Sequence, residues 1–244
     1  MKAFQITALY IFLTLSGFGQ TETIKTTFVK GGISQINESA NFGLVFKGVE
    51  AGVGMNREYY SERGLLTYSN ELTANLLFSH NISGICLYLK PVDLAYRFKL
   101  PFAENLFAGP SLKLEYNYQL YPDLQAGFDY WFSNINAGAG ICYKTIIKQS
   151  TFQFLLNTSL LGFTSRQPEV RNPYFYNLGF KHAIKHLHQN ADFGWFNTFN
   201  TTDFEIKWKP TETCKNSFGY RLSYSAYYSE PKFTKIDQSV VIYF

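Results

Sequence analysis

From Phe218 onward the chain alternates. Phe218, Tyr220, Leu222, Tyr224, Ala226 and Tyr228 fall on one parity, and Ser217, Gly219, Arg221, Ser223, Ser225 and Tyr227 on the other. An earlier stretch sets Leu106, Ala108, Leu112, Leu114, Tyr116 and Tyr118 against Gly109, Ser111, Lys113, Glu115, Asn117 and Gln119. Phe196, Phe204, Ile206 and Trp208 likewise oppose Asn197, Thr201, Asp203, Glu205 and Lys207. Successive strand residues point to opposite faces, so each stretch reads as a strand with one apolar and one polar face. Along the whole chain this pattern predicts about ten strands, at roughly 25–35, 41–56, 64–79, 84–100, 104–120, 134–146, 150–164, 192–209, 215–229 and 233–244.

Strand length separates a soluble sandwich from a barrel. Most of these strands run about ten to seventeen residues, whereas globular strands usually have about five or six. A membrane-crossing strand tilted near 45° needs about 9–11. An even number returns both termini to one side, as single-chain membrane barrels require. Short connections at Pro101–Glu104, Ile147–Ser150 and Lys209–Glu212 then share that side, and the long connections, 165–191 and Tyr121–Ser133, share the other. Short turns on one side and long loops on the other complete the pattern. The expected fold is all-β, an antiparallel up-and-down transmembrane barrel, with 56–64 and 121–134 leaving eight or twelve strands open. Arg57–Arg63 fits less well, because it makes a long turn on the short-turn side; a longer strand or a register shift is the alternative there. Tyr116, Tyr118, Tyr224, Tyr228 and Trp208 lie near strand ends, where amphipathic rings favour a membrane interface.

Composition agrees. Charged residues are 16% of the 244 and aromatics 18%, against about 25% charged in an ordinary soluble domain. That disfavours a disordered chain, which is charged and aromatic-poor, and a helical bundle. The net charge of +4 forms no basic stripe, so no nucleic-acid partner is expected. At the N-terminus, Met1-Lys2, the apolar stretch Ile6–Leu15 and the small residues Gly17 and Gly19 predict a secretory signal peptide over 1–19. The stretch is too short to span a bilayer, and no later stretch is long enough for a membrane helix. Residues 20–244 are expected to be a single barrel domain.

The chain ends Ser239-Val240-Val241-Ile242-Tyr243-Phe244, with Val240, Ile242 and Phe244 on one face. This ending resembles the C-terminal insertion signal of outer-membrane barrels. With the signal peptide and the alternating strands, the mature chain resembles the small outer-membrane β-barrels of Gram-negative bacteria, nearest the OmpX- and PorT-like group. The resemblance implies a place in the outer membrane, contact with its lipid and lipopolysaccharide, and handling by the barrel-insertion machinery. A structural, binding or accessory-subunit role through the outer loops follows, with a protein partner in an outer-membrane complex as one form of it.

If the apolar parity faces lipid, the inward set comprises Lys30, Glu50, Glu71, Asp93, Arg97, Lys99, Lys113, Glu115, Asp203, Glu205, Lys207, Arg221, Lys235 and Asp237. A barrel of this size has an interior filled by side chains. Buried charges must be paired, and acids and bases are equal in number here, so an ion-pair network sealing the lumen is expected. A passive small-solute channel lined by mixed charge is the alternative.

Candidate chemistry is sparse. His182, His186 and His188 cluster in the long outer segment, and His182 and His186, four apart, would share a helix face and offer two imidazoles to a metal. Only Asp192 lies near to complete a set, so no metal site and no cofactor are assigned. Asn172-Pro173 marks a helix start, which makes this segment a polar helix over the barrel mouth. Its Lys181 and Lys185, with Tyr174, Phe175 and Tyr176, form the expected loop binding surface. His186–Ala191 superficially resembles the His-x-Ser-Asn-Ala stretch of lipid A deacylases. However, Gln189 stands in the nucleophile's place and Leu187 in that of the His, so a lipid hydrolase is the weakest reading and no catalytic residue is named. Thr198, Thr201 and Thr202 supply hydroxyls on the following strand. Cys86, Cys142 and Cys214 match no metal spacing, and free thiols are expected.

Overall fold

The computed structural model describes residues 22–39, 43–123, 128–166, 191–229 and 232–244. They form β1 (Glu22–Glu38), β2 (Val45–Ser61), β3 (Gly64–Ser79), β4 (Ile82–Leu100), β5 (Ala103–Tyr121), β6 (Phe128–Ile147), β7 (Ser150–Arg166), β8 (Asp192–Trp195), β9 (Phe199–Lys209), β10 (Ser217–Tyr227) and β11 (Phe233–Tyr243). Every pairing is antiparallel. The ladder runs from β1 to β7, passes to β9, β10 and β11, and closes where β11 pairs back onto β1.

β8 pairs with Leu161–Thr164 of β7, and β9 takes over lower on the same edge, at Thr158 and below. β8 and β9 are therefore one interrupted stave, and the barrel has ten. The interruption is held by the Phe196 N–H donating to the Leu160 carbonyl (2.8 Å) and the Tyr228 N–H donating to the Thr198 carbonyl (2.9 Å). One residue at this point is explained by a bulge in β7, where the register to β6 slips beside Leu160.

The connections at 62–63, 101–102, 148–149 and 210–216 lie at one end of the barrel with Glu22 and Tyr243, here the turn end; the 80–81 connection and the strand ends Glu38, Val45, Tyr121, Phe128, Arg166, Asp192, Tyr227 and Phe233 lie at the other, the loop end. The long turn expected at 57–63 is corrected. Arg57–Ser61 continues β2 by pairing with Gly64–Tyr68, and only Glu62 and Arg63 connect the strands. At the two-residue connections 80–81 and 148–149, His80 (φ 52°) and Lys148 (φ 59°) take the left-handed backbone that tight hairpins need at their first position.

The outer face carries Val29, Ile33, Val49, Val53, Leu72, Leu76, Leu87, Leu112, Ile141, Leu156, Phe218 and Val240, all exposed. Apolar exposure around a whole barrel is what a hydrocarbon surround stabilises and water does not. Of the girdle candidates, Trp208, Tyr118 and Tyr228 are exposed on this face, and Tyr116 and Tyr224 partly so.

The inner face is layered. At the loop end Ile36, Phe46, Leu77, Cys86, Tyr121, Phe132, Phe199, Tyr227 and Phe233 pack into an apolar cluster inside the barrel. Phe46 lies 4.5 Å from Tyr121 between ring centroids, and Phe132 lies 4.9 Å from Phe233. Two residues closer to the turn end, the same strands present Ser34, Asn75, Gln119, Asn134, Thr201 and Lys235, all buried. Charged side chains fill the middle, and Phe28, Val241 and Tyr243 form a small apolar cluster beyond them. The sequence reading assigned large apolar residues to the outer face, so the inward plug is a finding of the fold.

Candidate functional site

The lumen is filled by ion pairs, some between neighbouring strands and others, such as Glu71–Arg221, Lys113–Asp203 and Lys207–Glu58, between strands that are not neighbours in the wall. Lys30 on β1 meets Glu50 (3.4 Å) and Glu71 (2.7 Å), and Glu71 on β3 also meets Arg221 on β10 (2.5 Å). Arg221 continues to Glu205 on β9 (3.1 Å), whose carboxylate also accepts the Tyr243 hydroxyl. Lys113 on β5 pairs with Asp203 on β9, which Lys90 approaches at 3.9 Å while meeting Asp93 at 3.5 Å. Lys207 on β9 reaches across to Glu58 on β2 at 3.0 Å, and Tyr60 and Asn56 donate to the same carboxylate. Lys235 pairs with Asp237, which also accepts from Ser34 (2.6 Å). Glu115 accepts from the Tyr88 hydroxyl at 2.6 Å and from the Asn136 amide at 3.5 Å.

Glycines make room for these long side chains. Gly52 lies under the Lys30 stem, Gly54 under the Phe28 ring, and Gly140 under the Arg97 guanidinium. A Cβ at Gly140 would stand 3.1 Å from Arg97 Nε. These inward glycines are sites of close side-chain approach.

The expected inward charges are all found in this set except one. Lys99 is exposed at the turn end, where the pairing of β4 with β5 slips beyond it, and it is corrected to a rim residue. Four members were missed, each for a physical reason. Lys90 lies before the β-bulge at Pro91, which reverses the parity of β4: Cys86, Tyr88 and Lys90 face inward above it, and Asp93, Ala95 and Arg97 below. The Pro within a long strand was the available signal. Glu58 was hidden in the supposed turn. Glu38 and Arg166 pair at 2.8 Å just past the expected ends of their strands.

Val240 and Phe244 are exposed on the outer face, and Ile242 is partly so. His182, His186, His188, Lys181, Lys185, Tyr174, Phe175 and Tyr176 lie outside the described residues, as does the predicted signal peptide. Among the described residues no group of three or more His, Cys, Asp or Glu is placed to hold a metal. Cys86 and Cys142 are buried and Cys214 half-buried, and all three are free thiols. Cys142 accepts from the Gln153 amide at 3.3 Å. Thr201 and Thr202 face opposite sides of the wall. The Thr201 side chain is buried inside, whereas Thr202 bonds Thr158 and Asn200 on the outer face. At the loop end the Ser83 hydroxyl (2.5 Å) and backbone N–H (2.7 Å) both donate to Asp123, which holds its carboxyl below the ordinary value.

No protein-family model matches the sequence, and no curated protein does. Among solved structures, the chain is similar to the outer membrane protease OmpT from Escherichia coli, at 8% identity and a TM-score of 0.53, with 93% of this chain and 98% of that one covered. The translocator domain of the autotransporter NalP from Neisseria meningitidis (9% identity, TM-score 0.44, 98% and 95% covered) also aligns. So does Neisserial surface protein A, at 7% identity and a TM-score of 0.40, with 91% and 97% covered. At these identities the likeness is one of fold: a closed antiparallel barrel of the outer-membrane type.

Proposed function

We propose that the protein is an integral outer-membrane barrel with a closed lumen, acting in a structural, binding or accessory-subunit role through its outer loops. In this reading residues 1–19 direct export and are removed, the turn end faces the periplasm, and Val240, Ile242 and Phe244 are read by the insertion machinery. Lys181, Lys185, Tyr174, Phe175 and Tyr176 then belong to the surface that meets lipopolysaccharide or a partner protein. The observation that carries the reading is the two-layered interior. The apolar plug and the cross-lumen ion pairs obstruct the bore in series, while exposed apolar side chains wrap the outside.

A continuous aqueous path would require water to pass the Phe46–Tyr121 and Phe132–Phe233 contacts, where ring faces replace none of its hydrogen bonds and the Tyr121 hydroxyl is already given to Gln119. Reconstituted in planar bilayers, the protein is expected to show no steady single-channel current, and on gels it should migrate differently before and after boiling. A persistent nanosiemens conductance would establish the passive channel instead, and identical mobility would count against the barrel.

A further inference from the structure

Arg97 differs from the other cations of the lumen. Its side chain is buried, with 1% of the residue exposed. Nη1 donates to Thr67 Oγ1 at 3.0 Å and Nη2 to Asn157 Oδ1 at 2.6 Å, both neutral acceptors, while Nε has no partner. A guanidinium offers five N–H donors and keeps its charge at any physiological pH, so burial cannot neutralise it. It borders a cavity of about 70 Å³ that Ser69, Asn157, Lys207 and Arg221 also line. That space takes a small ion with a few waters, since about 10–15 Å³ on this measure holds one water.

The carboxylates around the cavity are already matched: Glu58 by Lys207, Asp93 by Lys90, Asp203 by Lys113, and Glu205 by Arg221. None lies within ion-pair distance of Arg97 among the described residues. The Asn157 carbonyl oxygen is taken by Arg97, which leaves the amide of Asn157 as a donor. Ser69 adds a hydroxyl and Lys207 an ammonium.

We infer that this cavity is a binding site for a small inorganic anion of chloride's size, held by Arg97 with donors from Asn157, Ser69 and Lys207. The inference goes beyond the proposed role, because it concerns the lumen and holds whichever partner the loops engage.

Bromide is the probe. Crystals of the full mature chain grown in sodium bromide should show an anomalous peak in the cavity beside the Arg97 guanidinium. At constant ionic strength, replacing gluconate by bromide should raise the unfolding midpoint of the parent in detergent. Arg97→Gln, which keeps an amide donor in place, should lose both responses. If that variant fails to fold, Ser69→Ala serves, with the bromide response reduced but present. A cavity holding only water in bromide-grown parent crystals overturns the inference. So does a bromide response of Arg97→Gln equal to that of the parent.

Discussion

At the loop end of the lumen, Phe46, Tyr121, Phe132 and Phe233 fill the bore with packed rings, Phe46 against Tyr121 and Phe132 against Phe233. Halfway down, it is filled by Lys30, Glu71, Arg221, Lys113 and Asp203, each held by an opposite charge on another strand, as Glu71 by Arg221 and Lys113 by Asp203. The two regions close the same tube by different physics. An apolar side chain gains from burial wherever it is out of water, so its contribution is local. A buried charge is tolerated only while its partner stands opposite, so the middle of the barrel depends on the barrel being closed.

This contrast predicts different responses to substitution. Asp203→Ala should have the largest effect, because it removes the acidic partner of Lys113 and half the support of Lys90. Breaking such a buried pair costs about 3–5 kcal/mol. Urea unfolding of the protein in detergent micelles would measure it. Adding Lys113→Met to Asp203→Leu should recover most of the loss, since no charge is then left alone. A double variant as unstable as Asp203→Ala would break the comparison, because the middle layer would then be governed by packing.

In the plug, Leu77→Ala should cost about 3 kcal/mol through lost transfer energy and the cavity left behind. No second substitution that merely balances charge should restore it, and the loss should be unchanged by salt. A strongly salt-dependent loss would show that the plug is coupled to the charges below.

The smallest effect is expected at the rim. Asp123 has its carboxyl lowered by Ser83 in the folded protein, so its contribution is present above the ordinary carboxyl pKa and disappears as pH falls through the lowered folded value. Ser83→Ala should raise the Asp123 pKa toward the ordinary value in a carboxyl-detected NMR titration. With Asp123 fully exposed, stability near neutral pH should hardly change. An unmoved titration would show that the hydrogen bonds at Ser83 do not set it.

Much of the wall was legible. The 64–79 strand is found at the same bounds, and the strands at 84–100, 104–120, 150–164 and 233–244 are found within two residues at each end. Alternation also placed Glu50, Glu71, Lys113, Glu115, Asp203, Arg221, Lys235 and Asp237 on the inner face. It failed where its premise fails. A bulge at Pro91 shifts parity by one and conceals Lys90, and a strand running past its polar-looking end conceals Glu58. The plug was missed because period two separates two faces without saying which is wet. At the loop end of the barrel both faces are apolar.

The sequence by itself determined that the chain folds as long alternating strands, where most of them begin and end, and which charges share a face. These are properties of the pleat, set by each residue's neighbours in the chain. Only the tertiary structure decided which charge meets which. Glu71 and Arg221 are 150 positions apart, and their meeting depends on barrel closure and strand tilt, which fix the height of each strand against the one across the lumen. Closure also leaves Arg97 beside a cavity whose carboxylates are matched by other cations, with none of the described ones within ion-pair distance of it.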